Sequence, residues 1–346
     1  MKSSCYMSNF SRLSVAFTII LFTILATGCK KDDTQETSDS MTGSLSFEMP
    51  VYLLTGSTLT LEASGITAPE TGITYKWVFT GFAPDSASGK SVTVVSPLEP
   101  GTYTVLLSAQ AEGYYSKSSS ITTIVIDPAS QESFSGQVFG TNYITDPRDG
   151  RQYYFTEIGN LFWFSQNLNW EGTGRPYGNI DALSHIYGRL YSWQEATGGL
   201  SNPTGGAGSN GACPPGWRVP TNQDWEELAR HLNSGSPLSF DNEWKGLGSK
   251  LTVEALLNGS KIWKYSPNNN KENLYHWNAL PGGNVSGTLS SFSNLNNYGF
   301  WWSSSEATAS TAPYRYIYFD SGDFSYNIAN KTFFGASVRC VRSVNQ

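Results

Sequence analysis

The sequence predicts two folded domains of different class: an all-β sandwich, then an α+β domain with two helices and antiparallel strands. Three observations predict this. Between residues 44 and 127 short apolar/polar alternations recur, separated by Gly, Pro and Ser turns. Beyond residue 138 two helix signatures stand among further strands and long Asn/Gly/Ser loops. That second stretch also holds ten of the eleven tryptophans. A length of 346 residues accommodates such a pair, since domains run to roughly 100–200 residues. Charged residues make up 14% and aromatics 14% of the chain. Low charge with many rings argues against disorder over most of the length. A formal charge of −6 lacks the basic footprint of a nucleic-acid binder, so none is expected as partner.

Residues 1–28 are predicted to be a removable signal. Leu13 to Ala26 is an apolar run, LSVAFTIILFTILA, preceded by Lys2 and Arg12. It is too short to span a bilayer and has signal-peptide proportions. Its end, Ala26-Thr27-Gly28-Cys29, resembles a bacterial lipobox, with Leu25 four residues before the cysteine. The resemblance implies a diacylglycerol on the Cys29 thiol. Lys30-Lys31-Asp32-Asp33 looks like the acidic export signal of Bacteroidota lipoproteins, which implies the outer face of the outer membrane. Residues 29–43 are poor in large apolar side chains and read as a flexible tether.

Four cysteines are present: Cys5, Cys29, Cys213 and Cys340. Cys5 leaves with the signal and Cys29 takes the lipid. The pair left in an oxidising compartment, Cys213 and Cys340, is predicted to form a disulfide, two buried free thiols being the alternative.

Residues 44–127 contain SLSFEM, STLTLEAS, TYKWVFTG, SVTVVS, GTYTVLLSAQ and SSITTIVI. Strands at intervals of about ten residues suggest an antiparallel sandwich, with Trp77 in mid-strand where it would be buried. Pro100-Gly101-Thr102-Tyr103-Thr104-Val105 resembles the late strand of polycystic-kidney-disease-type and other Ig-like modules, which implies a spacer. Asp127-Pro128 ends the last strand, because proline cannot donate to a ladder. Residues 128–137, PASQESFSGQ, read as a linker.

In residues 138–346 one helix is predicted over Gly188–Ala196, with Leu190 and Trp193 on one face. A second starts at Thr221, a good N-cap with Asp224 as capping-box acid. Trp225, Leu228, Ala229 and Leu232 then form one apolar stripe. The ordered segments Thr145-Asp146-Pro147-Arg148-Asp149-Gly150, Gln166-Asn167-Leu168-Asn169, Tyr187-Gly188-Arg189-Leu190-Tyr191, Cys213-Pro214-Pro215-Gly216-Trp217, Asn278-Ala279-Leu280-Pro281-Gly282-Gly283, Trp301-Trp302-Ser303-Ser304-Ser305-Glu306 and Ser337-Val338-Arg339-Cys340 carry a family resemblance. In this order they look like the Fibrobacter succinogenes major paralogous domain. The resemblance implies a C-type-lectin-like or formylglycine-generating-enzyme-like fold, and it supports the Cys213–Cys340 pairing.

Enzymatic chemistry is not expected. Formylglycine generation needs a cysteine pair beyond the structural one, and none is to spare. His185, His231 and His276 lie in no catalytic elbow or metal spacing. Asp224, Glu226 and Glu227 suit the start of a helix dipole. The sugar-specifying triplets of calcium-dependent lectins are missing, Trp277-Asn278-Ala279 lacks the terminal acid of theirs, and Asp320 and Asp323 read as turn acids, so no metal or other cofactor is expected. Trp193, Trp217, Trp225, Trp301 and Trp302 are predicted core. The rings outside the motifs, Trp170, Trp244, Trp263, Tyr265, Tyr275 and Tyr298, are the candidate ligand-binding residues, several beside Asn-rich segments. Aromatic faces stack on sugar C–H faces while amides satisfy hydroxyls. The expectation is therefore a lipid-anchored surface protein that holds a polysaccharide or oligosaccharide without transforming it. The alternative is an adhesion or pilus-type assembly component with a protein partner.

Overall fold

The computed structural model describes residues 39–201, 211–234 and 243–345. The signal stretch, Lys30 to Asp33 and Cys29 lie outside the described residues. Strands dominate, with four α-helices among the described residues.

The first part is built around a five-stranded sheet in the order Tyr52–Leu54, Lys117–Ile126, Gly101–Gln110, Thr74–Phe79, Ser86–Ser88. All its pairings are antiparallel except that of Tyr52–Leu54 with Lys117–Ile126. Thr58–Glu62 pairs with Ser91–Val95, and Thr42–Ser46 with Ser64–Ala68. The period-two alternation places Trp77, Phe79, Val105, Leu107, Leu61 and Val94 in one shared core. Trp77 donates its indole N–H to Gly89 O at 2.9 Å, so the buried ring leaves no polar group unpaired. Of the expected tether, Asp39–Ser40 pairs with Tyr114–Tyr115, and Met41 is buried in the same core. One apolar side chain in an otherwise polar stretch is what draws these residues in.

The stretch 128–137 contains a strand, Phe134–Ser135, paired with Leu256–Leu257. Ser133 Oγ accepts from Asp127 N–H and donates to Asn258 Oδ1, while Asn258 Nδ2 donates to Val125 O. Ile126 and Phe134 are buried in one cluster with Ala182, Leu183, Ile186 and Ile262, and Tyr52 and Leu54 pack against it. Residues 39–346 accordingly form one compact unit.

Beyond residue 138 lie three four-stranded sheets. The first runs Tyr143–Thr145, Gln152–Ile158, Leu161–Phe164, Val341–Ser343, which brings the end of the chain beside the opening strands of this part. The others run Tyr191–Ser192, Phe334–Ala336, Gly282–Ser286, Ser291–Leu295 and Glu243–Trp244, Phe324–Asn330, Thr311–Tyr318, Tyr298–Trp302. The helices are α1 (Asp181–Tyr187), α2 (Trp193–Thr197), α3 (Asn222–Leu232) and α4 (Leu247–Leu251).

Two helices were expected, and the additional two are one to two turns long, below what apolar periodicity detects. The helix expected over Gly188–Ala196 starts only at Trp193. Gly188 has φ +73°, where a side chain is strained, and a Cβ there would lie 2.7 Å from Asn167 Cβ. Tyr191–Ser192 pairs as strand, and Ser192 forms the capping box with Glu195. At α3 the Thr221–Asp224 capping box forms as expected, and Trp225, Leu228, Ala229 and Leu232 are buried. The Cys213–Cys340 disulfide is present, across a sequence separation of 127. Both sulfurs sit in a core with Trp193, Trp217 and Trp302, while Trp225 and Trp301 anchor a second.

Candidate binding cleft

A cleft of about 340 Å³ opens where residues 128–139 meet α1 and the strand Gln152–Ile158. Its walls carry Gln131, Gln137, Gln152, Gln166, Asn167 and Asn169, with Phe139, Ser184, Arg151 and His185.

The floor is fixed by hydrogen bonds. Asn167 Oδ1 accepts from Trp301 Nε1 at 2.9 Å and Arg339 Nε at 2.7 Å, and its Nδ2 donates to Tyr187 O and Ser337 Oγ. Gln166 Oε1 accepts from Tyr154 N–H and its Nε2 donates to Gln152 O. Arg339 is fully buried and donates to Phe164 O, Trp277 O and Asn278 O while lying on the Trp277 ring. Burial holds its guanidinium well below the ordinary arginine value. The upper wall is docked by Asn278, which accepts from Val138 N–H at 3.1 Å and donates to Val138 O at 2.8 Å.

Two further groups are sealed beneath the lining. Asn169 is 7% and Ser184 1% exposed, yet Asn169 Oδ1 and Ser184 Oγ have no hydrogen-bond partner among the described residues. Phe139 stands exposed at the mouth, stacked on Tyr154 at 4.9 Å. Arg151 is ion-paired with Glu171 and Asp149, and behind it Arg189 pairs with Asp181. Partial burial, then Arg151, lowers the His185 imidazole below its ordinary value. This favours the neutral imidazole.

None of the six candidate rings lines this cleft, and the fold scatters them. Trp263 (1% exposed) and Trp244 (5%) are core, a correction to their expected role, and offer no face to a ligand. Trp263 donates to Ala279 O, and Trp244 carries the Arg315 guanidinium 3.5 Å from its ring centre. Tyr298 has Phe300 and Tyr318 stacked against it at 5.3 and 4.5 Å. Trp170 is half-buried under Arg148, and any side chain at Gly172 would overlap its ring. Tyr265 is 71% exposed and stands apart, with only Lys261 near its face. Tyr275, at φ +61°, is exposed edge-on to His231 over a separate shallow depression with Glu227 and Arg230.

Asp320 accepts from Ser266 Oγ and Asn268 Nδ2, and Asp323 from Gly246 N–H, so both carboxylates serve turns. Among the described residues no cluster of three or more His, Cys, Asp or Glu side chains is placed to hold a metal ion. The cleft residues that sequence reasoning missed, Gln131 and Gln137, lie in the stretch read as linker. Asn169 lay within a quoted motif, but no local pattern marks its amide as unpaired.

The geometry defines a β-rich, disulfide-closed domain with a packed tryptophan interior and a polar cleft lined by residues between Pro128 and Gly188. Residues 156–342, more than half of the chain, match the Fibrobacter succinogenes major domain, and the protein belongs to this family. No match to a curated protein was found.

Proposed function

We propose that this protein holds a glycan non-enzymatically at the outer surface of an outer membrane, tethered through lipidated Cys29. In this reading residues 44–127 are an Ig-like spacer, and the family domain has a C-type-lectin-like arrangement that presents the cleft. One observation carries it: a cleft whose walls combine several side-chain amides with an exposed phenylalanine. Amides both donate and accept, as sugar hydroxyls require, and an aromatic face suits a pyranose C–H face. Its charged side chains are engaged in ion pairs or neutral, which supports binding over proton transfer. Affinity electrophoresis of the purified chain in gels containing a panel of polysaccharides tests the reading. Retardation by at least one glycan, reduced in Phe139→Ala, is expected; uniform mobility across the panel overturns it.

A second reading is adhesion through a protein partner. The half-buried Tyr314, Tyr316 and Tyr318 on one strand favour it. Tyr314 stacks on Phe334 and Tyr318 on Tyr298, so each has a face already covered.

A further inference from the structure

We infer that Arg315 anchors a second binding site, separate from the cleft, for the anionic group of a sugar, a uronate carboxylate or a sulfate ester; the sugar part rests on the proposed glycan-binding reading, and the anion part does not. The first ground is a cation left without an acceptor. Four cationic side chains are buried among the described residues: Arg189, Arg315, Lys331 and Arg339. Arg189 pairs with Asp181, Lys331 pairs with Glu306, and Arg339 donates to Asn167 and to three carbonyls. Arg315 is 5% exposed and has neither a hydrogen bond nor an ion pair among the described residues. Rings alone hold it, with Trp244 at 3.5 Å and Tyr326 at 5.0 Å from the guanidinium. Cation–π contacts offset part of the cost of burying a charge, and an opposite charge completes the compensation. Burial pushes the guanidinium down to about 10, so it stays charged at pH 7.

The second ground is that the fork is open at one end. Nε is sealed and without a partner, whereas Nη1 and Nη2 are not among the sealed atoms. Both therefore reach the surface with their N–H groups unpaired. A carboxylate or sulfate accepts from such a pair through two parallel bonds. Glu226 is the carboxylate whose field reaches Arg315. It lies beyond ion-pair distance and faces Arg230 at 3.8 Å, so it leaves the fork free.

The third ground is what stands beside the fork. Arg315 lies opposite Tyr326, and Pro313 opposite Ile328, where strand Thr311–Tyr318 pairs with Phe324–Asn330. Strand alternation puts Arg315, Tyr326 and Ile328 on one face of the sheet. Tyr326 is half-buried there and Ile328 is 47% exposed. A partly open phenol ring and an exposed aliphatic side chain suit the C–H face of the sugar that carries the charge. A free inorganic ion uses neither.

The test titrates the purified chain with glucuronate, glucose sulfate, acetate, inorganic sulfate and glucose, at an ionic strength held constant with sodium chloride. Calorimetry gives the affinity. The Arg315 Nε–H signal in a proton–nitrogen spectrum, assigned by its absence in Arg315→Lys, gives the place. A saturable shift with the two sugar anions is expected, at a dissociation constant of about 1 mM, as suits one forked contact, with none from glucose. Acetate and sulfate should move the same signal at lower affinity. Arg315→Lys keeps the charge and loses the fork, so it should weaken the sugar anions by about tenfold or more; equal affinity overturns the forked recognition. Tyr326→Ala leaves the fork in place and should bring the sugar anions down to the affinity of the free ions. Free ions that bind the wild-type chain as tightly as the sugar anions overturn the sugar part and leave the anion site standing. No shift with any anion overturns the site, and the glycan reading of the cleft then stands or falls on gel retardation alone.

Discussion

Removal of Asn167 is the sharpest test of how the domain is held together. Its amide uses both donor hydrogens and accepts twice, joining Trp301, Arg339, Tyr187 and Ser337. Asn167→Ala leaves an indole N–H, a guanidinium N–H and a carbonyl without partners. Each such buried group costs about 1–3 kcal/mol, the charged one at the upper end. Water entering from the adjoining cleft can relieve part of this, so the expected loss is about 3–5 kcal/mol, a large share of the total of about 5–15 kcal/mol typical of a folded protein. Asn167→Asp is the informative companion. It keeps both acceptor bonds and supplies Arg339 with a carboxylate, which it lacks among the described residues. The donations to Tyr187 O and Ser337 Oγ are lost and an anionic oxygen comes to face Tyr187 O, but the charge pair with buried Arg339 outweighs this repulsion, so Asp should cost less than Ala. Urea unfolding at pH 7, with the slope compared across variants, measures both. A loss below about 0.5 kcal/mol for Asn167→Ala, the level of an ordinary surface change, would refute this accounting, as would an Asp variant no more stable than Ala.

Trp263→Ala is expected to cost about 3–5 kcal/mol, the range for deleting a buried aromatic, whereas Tyr265→Ala should change stability by no more than about 0.5 kcal/mol; thermal melts of the two distinguish core from surface among the candidate rings. Replacing Cys213 and Cys340 together by Ala opens a loop of 127 residues and should lower stability by up to about 5 kcal/mol on the chain-entropy account, read as a fall in the urea midpoint. His185 is neutral-favouring in the folded state, with Arg151, Arg189, Asp181 and Glu171 around it. Well above pH 6.5, the ordinary histidine value, both states are uncharged and the group has no effect. As pH falls below it the unfolded chain takes up the proton first, so stability declines. That decline should be smaller in His185→Gln across pH 7 to 5, and identical curves would show that another group sets it.

Much of this was legible where one local rule decides. The Thr221–Asp224 cap and the stripe Trp225, Leu228, Ala229, Leu232 needed only helical spacing, and α3 obeys both. Cysteine count and the family resemblance together pointed to Cys213–Cys340, and the disulfide is present. The region around Gly188 failed because two rules competed. Leu190 and Trp193 have helical spacing, but the close approach of Gly188 to Asn167 and the pairing of Tyr191 with Ala336 hold the intervening residues extended. No spacing rule contains a neighbour twenty residues away.

The site was less legible for a related reason. A ring is useful to a sugar only if one face is free, and occupancy of a face is a property of the fold. Trp263 and Tyr265 are two residues apart and look equivalent in the sequence, yet one is interior and the other open to solvent. The amides make the same point more strongly. Gln166, Asn167 and Asn169 fall within four consecutive residues, and composition treats them alike. In the fold the first two have their polar atoms taken up by the backbone, an indole and a buried guanidinium, while the third keeps an acceptor unpaired. Hydrogen-bond capacity left over after folding, where it reaches the cleft surface, is what a ligand can use. It emerges only when every buried donor and acceptor has been matched in three dimensions, and that matching moves the candidate site from scattered aromatics to the amides at the junction.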